Sequence, residues 1–136
     1  MIIKSEQEMQ NFGKKFADGL SNAPKPIVIE LIGDVGTGKT TFTRGLAEGL
    51  GIKEPITSPS FTISKQYALP KNGKLIHYDF YRLGDPGLMA EDLTENLQNP
   101  NNIIVIEWGE SISELLPLNH ITINIEYTND GRKVTL

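Results

Sequence analysis

The chain has 136 residues and carries 13 Lys and Arg against 17 Asp and Glu, a net charge of −4 with a pI near 5.2. That length suits one domain, spanning 1–136, and is too short for two. The absence of cysteine excludes a disulfide scaffold, a thiol enzyme and a zinc finger, and suits a reducing compartment, the cytoplasm. The acidic balance argues against a stand-alone nucleic-acid binder. Met1-Ile-Ile-Lys-Ser-Glu-Gln-Glu8 lacks the apolar stretch of a signal peptide, and no segment approaches the ~18 apolar residues of a membrane span. A soluble protein without membrane or sequence-specific nucleic-acid contacts is the expectation.

Ser5 to Leu20 reads as a helix: Ser5 and Glu8 have capping-box spacing, and Met9, Phe12, Phe16 and Leu20 recur at helical intervals. Pro24 and Pro26 stop it. Ile27-Val-Ile-Glu-Leu-Ile32 is β-branched and nearly continuously apolar, the pattern of a strand buried on both faces and central in a sheet. After a glycine-rich turn, Lys39 to Leu50 reads as a second helix, with Phe42, Leu46 and Leu50 four apart and Gly51 as its cap. Phe61 to Tyr67 and Lys74 to Tyr81 form an expected hairpin around Pro70 to Gly73. Asp85 to Leu97 is an expected helix and Asn101 to Ile106 a buried strand. Ile121 to Tyr127 and Lys133 to Leu136 form a terminal hairpin turning at Asn129-Asp-Gly131. Helices interleaved with both kinds of strand imply a three-layer α/β domain with a mixed parallel/antiparallel central sheet.

Gly33-Asp-Val-Gly-Thr-Gly-Lys-Thr40 matches the Walker A pattern G-x-x-x-x-G-K-[ST], which a chain of this composition meets by chance about once in a hundred. It follows a predicted strand and opens a predicted helix, as a phosphate loop must. Gly33, Gly36 and Gly38 let backbone N–H groups turn onto phosphate oxygens with no Cβ in the way. Lys39 would reach the β- and γ-phosphates as a loop-tip cation outside the core, and the Thr40 hydroxyl is placed to ligate Mg²⁺. The expected fold is P-loop NTPase-like, with ATP as ligand and ADP as product.

A phosphate loop does not name a reaction. A GTPase is excluded by the lack of N-K-x-D and of D-x-x-G after a strand. A small-molecule kinase stays open, although such enzymes usually clamp a second substrate with several arginines, and this chain has Arg44, Arg82 and Arg132 alone. A non-enzymatic ATP-dependent binding module is a third reading.

Four motifs, Gly33 to Gly45, Thr57-Ser-Pro-Ser-Phe61, His77-Tyr-Asp-Phe-Tyr-Arg-Leu83 and Ile106-Glu-Trp108, together resemble the TsaE (YjeE) family from about Ser5 to Arg132. That resemblance implies a weak bacterial ATPase, required for tRNA threonylcarbamoyladenosine modification and acting on protein partners of the TsaD and TsaB type rather than on the RNA. It implies nucleotide contacts from Gly33, Asp34, Val35, Gly36, Thr37, Gly38, Lys39, Thr40 and Thr41. Thr57, Ser58 and Ser60 correspond to a switch-like segment, with Ser60 where the family usually has Thr. Glu107 corresponds to the acidic Mg²⁺ partner in place of the more usual Asp. Lys39, Asp79 and Glu107 are the implied catalytic set, Trp108 would lie near the nucleotide, and Arg132 would reach the base or ribose.

Other residues read more plainly. His77 is expected to be a hydrogen-bonded structural residue rather than a catalyst. Tyr78, Phe80 and Leu83 are packing residues, and Glu91, Asp92 and Glu95 a solvated helix face. A salt bridge to Arg82 is the alternative account of Asp79.

Overall fold

Seven strands form one mixed sheet in a computed structural model that describes residues 1–59, 63–81 and 86–136. Ser60 of the switch-like segment, the expected strand start at Phe61, the Arg82 partner for Asp79, Leu83 and the expected helix start at Asp85 lie outside the described residues. In chain order the elements are β1 (Ile2–Ile3), α1 (Glu6–Asp18), β2 (Ile27–Ile32), α2 (Lys39–Gly49), β3 (Ser64–Ala68), β4 (Lys74–Asp79), α3 (Gly87–Asn96), β5 (Ile103–Glu107), β6 (Ile121–Thr128) and β7 (Gly131–Thr135). The spatial order is β1-β7-β6-β2-β5-β4-β3.

The apolar run of β2 sits centrally, as its composition predicts, with parallel neighbours on both sides: Ile29 pairs with Val105 of β5 and with Ile121 of β6. β4 extends the parallel set beyond β5; antiparallel β3 closes one end, and β7 and then β1, each antiparallel to its neighbour, close the other. Alternation then builds two cores. Ile29, Leu31, Val105 and Ile123 face α1 and α2, where Met9, Phe42 and Leu46 bury. Ile76, Tyr78, Ile104 and Ile106 face Leu93 of α3 and Ile112 of a 3-10 turn over Gly109–Leu115. The result is the expected three-layer arrangement.

Local chemistry explains the helix ends. Ser5 Oγ accepts the Glu8 N–H at 3.1 Å, while the Glu8 carboxylate accepts the N–H of Lys4 at 2.8 Å, one residue before the reciprocal bond of a capping box. α1 ends at Asp18, earlier than the expected Leu20, because the chain tightens into a 3-10 turn at Gly19–Asn22. α2 closes with Gly51 N–H on Glu48 O (3.1 Å) and Ile52 N–H on Ala47 O (3.0 Å), a Schellman motif. α1 and α2 cross closely: a Cβ on Gly45 would overlap the Gln10 carbonyl, and the Phe12 and Phe16 rings each lie 5.6 Å from Phe42.

Strands, too, differ from expectation. β1 has no periodic signal in its two residues and exists through pairing with β7, Ile2 opposite Lys133 and Ile3 opposite Arg132. β7 begins at Gly131 rather than Lys133, since Gly131 and Arg132 still pair with Thr128 and Tyr127. β4 ends at Asp79 rather than Tyr81, where the Asp79 carboxylate accepts the Tyr81 N–H at 2.9 Å and turns the chain. Among the described residues no helix is long and apolar enough to cross a membrane.

Candidate functional site

The C-terminal ends of the parallel strands surround the β2–α2 loop, the position at which open α/β sheets bind ligands. Gly36 (φ +83°) and Gly38 (φ +112°) hold left-handed conformations that side chains resist. Within the loop Thr37 Oγ1 donates to Asp34 O at 2.9 Å. From the side, Tyr127 Oη donates to Val35 O at 2.8 Å. α2 starts at Lys39 with Gly38 as its N-cap, so the positive end of its dipole opens toward the loop.

A cavity of about 880 Å³ gathers Val35 to Thr41, Ser58, Asp79, Glu107, Trp108 and Arg132. Gly33 and Asp34 do not line it; they border a second cavity behind the loop, and their carbonyls anchor Lys39 and Thr37. Thr57 is also kept out. Its N–H faces Tyr67 Oη at 3.4 Å and its hydroxyl accepts from Lys65, so of the described switch-like residues Ser58 is the one that reaches the cavity.

Lys39 corrects the expectation of a loop-tip cation, because only 6% of it is exposed. Its Nζ donates to Gly33 O at 2.5 Å, lies 3.7 Å from Glu107 Oε1 and sits 4.2 Å from the centroid of the Trp108 ring. Burial holds its pKa below the ordinary 10.5, with the charges of Glu107, Asp79 and Asp34 acting in the opposite direction. Trp108 takes a left-handed backbone conformation (φ 56°) where β5 ends, and Tyr81 covers it at a ring distance of 4.6 Å.

The two carboxylates come from neighbouring strands, Asp79 opposite Glu107 across β4 and β5. Glu107 thus ends the strand beside β2, and Asp79 stands one strand farther from the loop. Two carboxylates and the Thr40 hydroxyl on one cavity are hard oxygen donors that suit Mg²⁺, an ion usually held by one or two carboxylates together with phosphates and water. No group of three or more His, Cys, Asp or Glu able to hold a metal occurs among the described residues.

Sequence reasoning missed one wall of the cavity, made of Ile3 to Glu6 and Met9. Nothing local marks these residues; the pairing of β1 with β7 brings them beside Arg132. That arginine lies over the Tyr127 ring at 4.3 Å. His77 is buried, as a structural residue would be, and touches Glu107.

A glycine loop joining a central parallel strand to a helix, with an acidic residue ending the next strand, defines an α/β domain of the P-loop NTPase type. The model of the family described as threonylcarbamoyl adenosine biosynthesis protein TsaE matches residues 3–134, and the chain belongs to that family. It is 39% identical to the tRNA threonylcarbamoyladenosine biosynthesis protein TsaE of Haemophilus influenzae, over 98% of this chain and 85% of that protein. The Streptomyces coelicolor protein of the same name is 36% identical over 87% of this chain and 78% of its own length. A crystal structure of YdiB from Bacillus subtilis has a TM-score of 0.75 and 34% identity, covering 98% of this chain and 80% of that one.

Proposed function

We propose that the chain is a cytoplasmic ATP-binding protein with weak intrinsic ATPase activity, serving tRNA threonylcarbamoyladenosine biosynthesis by nucleotide-dependent docking on partner proteins of the TsaD and TsaB type. The observation that carries this reading is one cavity holding Lys39, Thr40, Asp79 and Glu107 against the start of α2. The names of the relatives supply the biosynthetic context.

In this reading the loop backbone and Lys39 receive the phosphates, and Trp108 and Arg132 border the nucleoside. Thr40 and Glu107 hold Mg²⁺, which when bound neutralises charge on the phosphate oxygens. Asp79 orients a water for attack on the γ-phosphorus; the bond to the bridging oxygen breaks, and ADP and phosphate leave. Arg44 is turned away, its Nε donating to Ile56 O at 3.2 Å. Arg82, the other internal candidate, lies outside the described residues. A partner arginine would lower the barrier, an effect worth roughly 10³ to 10⁵ in rate elsewhere, or about 4 to 7 kcal/mol.

Phosphate release measured without an acceptor, with and without the partner proteins, tests the proposal. Slow release that rises on their addition is expected, and release without an acceptor separates an ATPase from a small-molecule kinase. Turnover of about 1 s⁻¹ or faster by the chain alone, unchanged by partners, would refute it.

A further inference from the structure

We propose that His77 is a positioning residue that orients the Glu107 carboxylate for the metal, a role that rests on the reading of Glu107 as the Mg²⁺ partner. His77 and Glu107 are 30 residues apart and meet because β4 and β5 pair in parallel, His77 opposite Val105 and Asp79 opposite Glu107. His77 Nε2 lies 2.5 Å from Glu107 Oε2. The other oxygen, Oε1, is the one nearer Lys39, at 3.7 Å. Occupying Oε2 fixes the rotation of the carboxylate, so that Oε1 is presented on the loop side.

The rest of the imidazole points to the same use. His77 is fully buried, and its Nδ1 is buried with no hydrogen-bond partner among the described residues. With Nε2 against a carboxylate, the fitting tautomer carries the proton on Nε2 and leaves a lone pair on Nδ1. A buried polar atom without a partner is costly, and an apolar side chain would avoid that cost. Leu75 and Ile76, beside it on β4, are fully buried and apolar. The bond to Glu107 is what distinguishes a histidine here from another leucine. Partners one step behind a ligating group commonly govern metal affinity about 10- to 100-fold.

The test uses His77→Leu, which removes the donor, and His77→Gln, which restores an N–H. ADP affinity is measured by calorimetry in EDTA and in Mg²⁺, Mg²⁺ is titrated into the protein–ADP complex, and thermal unfolding is followed in parallel. His77→Leu should lower Mg²⁺ affinity about 10- to 100-fold while leaving ADP affinity in EDTA unchanged, and His77→Gln should recover most of the loss. Unchanged Mg²⁺ affinity in His77→Leu, an equal loss of ADP affinity with and without Mg²⁺, or no recovery in His77→Gln would overturn the proposal.

Should His77→Leu fail to fold, the decision passes to His77→Met, which also lacks the donor, alone and combined with Glu107→Gln. His77→Met should lower Mg²⁺ affinity in the unsubstituted protein and cause no further loss once Glu107 is gone, and no loss in the first case or an independent additional loss in the second would overturn the coupling. Glu107→Gln with full Mg²⁺ dependence would refute the metal reading itself. Glu107→Gln losing that dependence while the His77 variants keep it would refute the positioning role alone.

Discussion

Replacing Lys39 with Met removes the ammonium and keeps the buried stem, which isolates charge from packing better than alanine does. A charge-assisted contact to phosphate is worth about 1.5 to 3 kcal/mol, or roughly 10- to 150-fold in affinity. Nζ donates to Gly33 O at 2.5 Å and lies 3.7 Å from Glu107. Phosphate binding exchanges those contacts for new ones, so the lower part of the range applies, about 10- to 30-fold. The variant should fold, and its stability should carry a pH signature. The folded-state pKa of Lys39 lies below 10.5, so between the two values the unfolded chain binds the extra proton and the unsubstituted protein gains stability as pH rises. The melting-temperature difference, Lys39→Met minus unsubstituted, should therefore shift against the variant as pH climbs toward 10.5. Calorimetric titration with ADP and ATP, with melting curves across that pH range, measures both effects. Unchanged nucleotide affinity would refute the phosphate-loop assignment, and a pH-independent difference would refute the account of Lys39 burial.

The carboxylates should differ in kind: Glu107→Gln weakens Mg²⁺-dependent nucleotide binding and hydrolysis together, whereas Asp79→Asn keeps the turn to Tyr81 and ATP binding but lowers turnover by about 10² or more. A larger loss of Mg²⁺ affinity in Asp79→Asn, seen by titration, would reverse the assignment. Gly45→Ala drives a Cβ into the Gln10 carbonyl and should cost about 1 to 3 kcal/mol in urea unfolding; a change under about 0.5 kcal/mol would show that the helix crossing yields. Tyr78 Oη donates to Asp92 at 2.7 Å and accepts from Asn96 at 2.8 Å, and burial raises its pKa above the ordinary 10.0. Above that value the unfolded chain loses the proton first, so stability falls as pH rises. Tyr78→Phe should cost about 1 kcal/mol at neutral pH and remove part of that alkaline loss; identical alkaline unfolding curves would contradict this.

Much of the site's frame is local and therefore readable. The apolar run Ile27 to Ile32, the glycines at 36 and 38 and the Lys-Thr that opens α2 are neighbours in the chain, and each answers to backbone sterics or burial within one strand–loop–helix unit. The same holds for the cap at Ser5 and the Schellman turn at Gly51. Glu107 was legible because it follows a buried strand whose pattern is plain, and Asp79 because the family motif pairs it with the loop.

Pairing across the sheet decided the rest. Placing β5 between β2 and β4 sets Glu107 beside the loop and delivers His77 to its second oxygen, a contact that spans 30 residues and leaves no periodic trace. Two residues of β1, docked on β7, help bring Ile3 to Glu6 to the cavity wall. Lys39 reads as a loop-tip cation until Gly33, Glu107 and Trp108 enclose it. Chain-local periodicity and turn chemistry determine which elements form, but which elements become neighbours depends on how several buried faces are satisfied together, and the contacts around Lys39 and Glu107 exist only after that assembly.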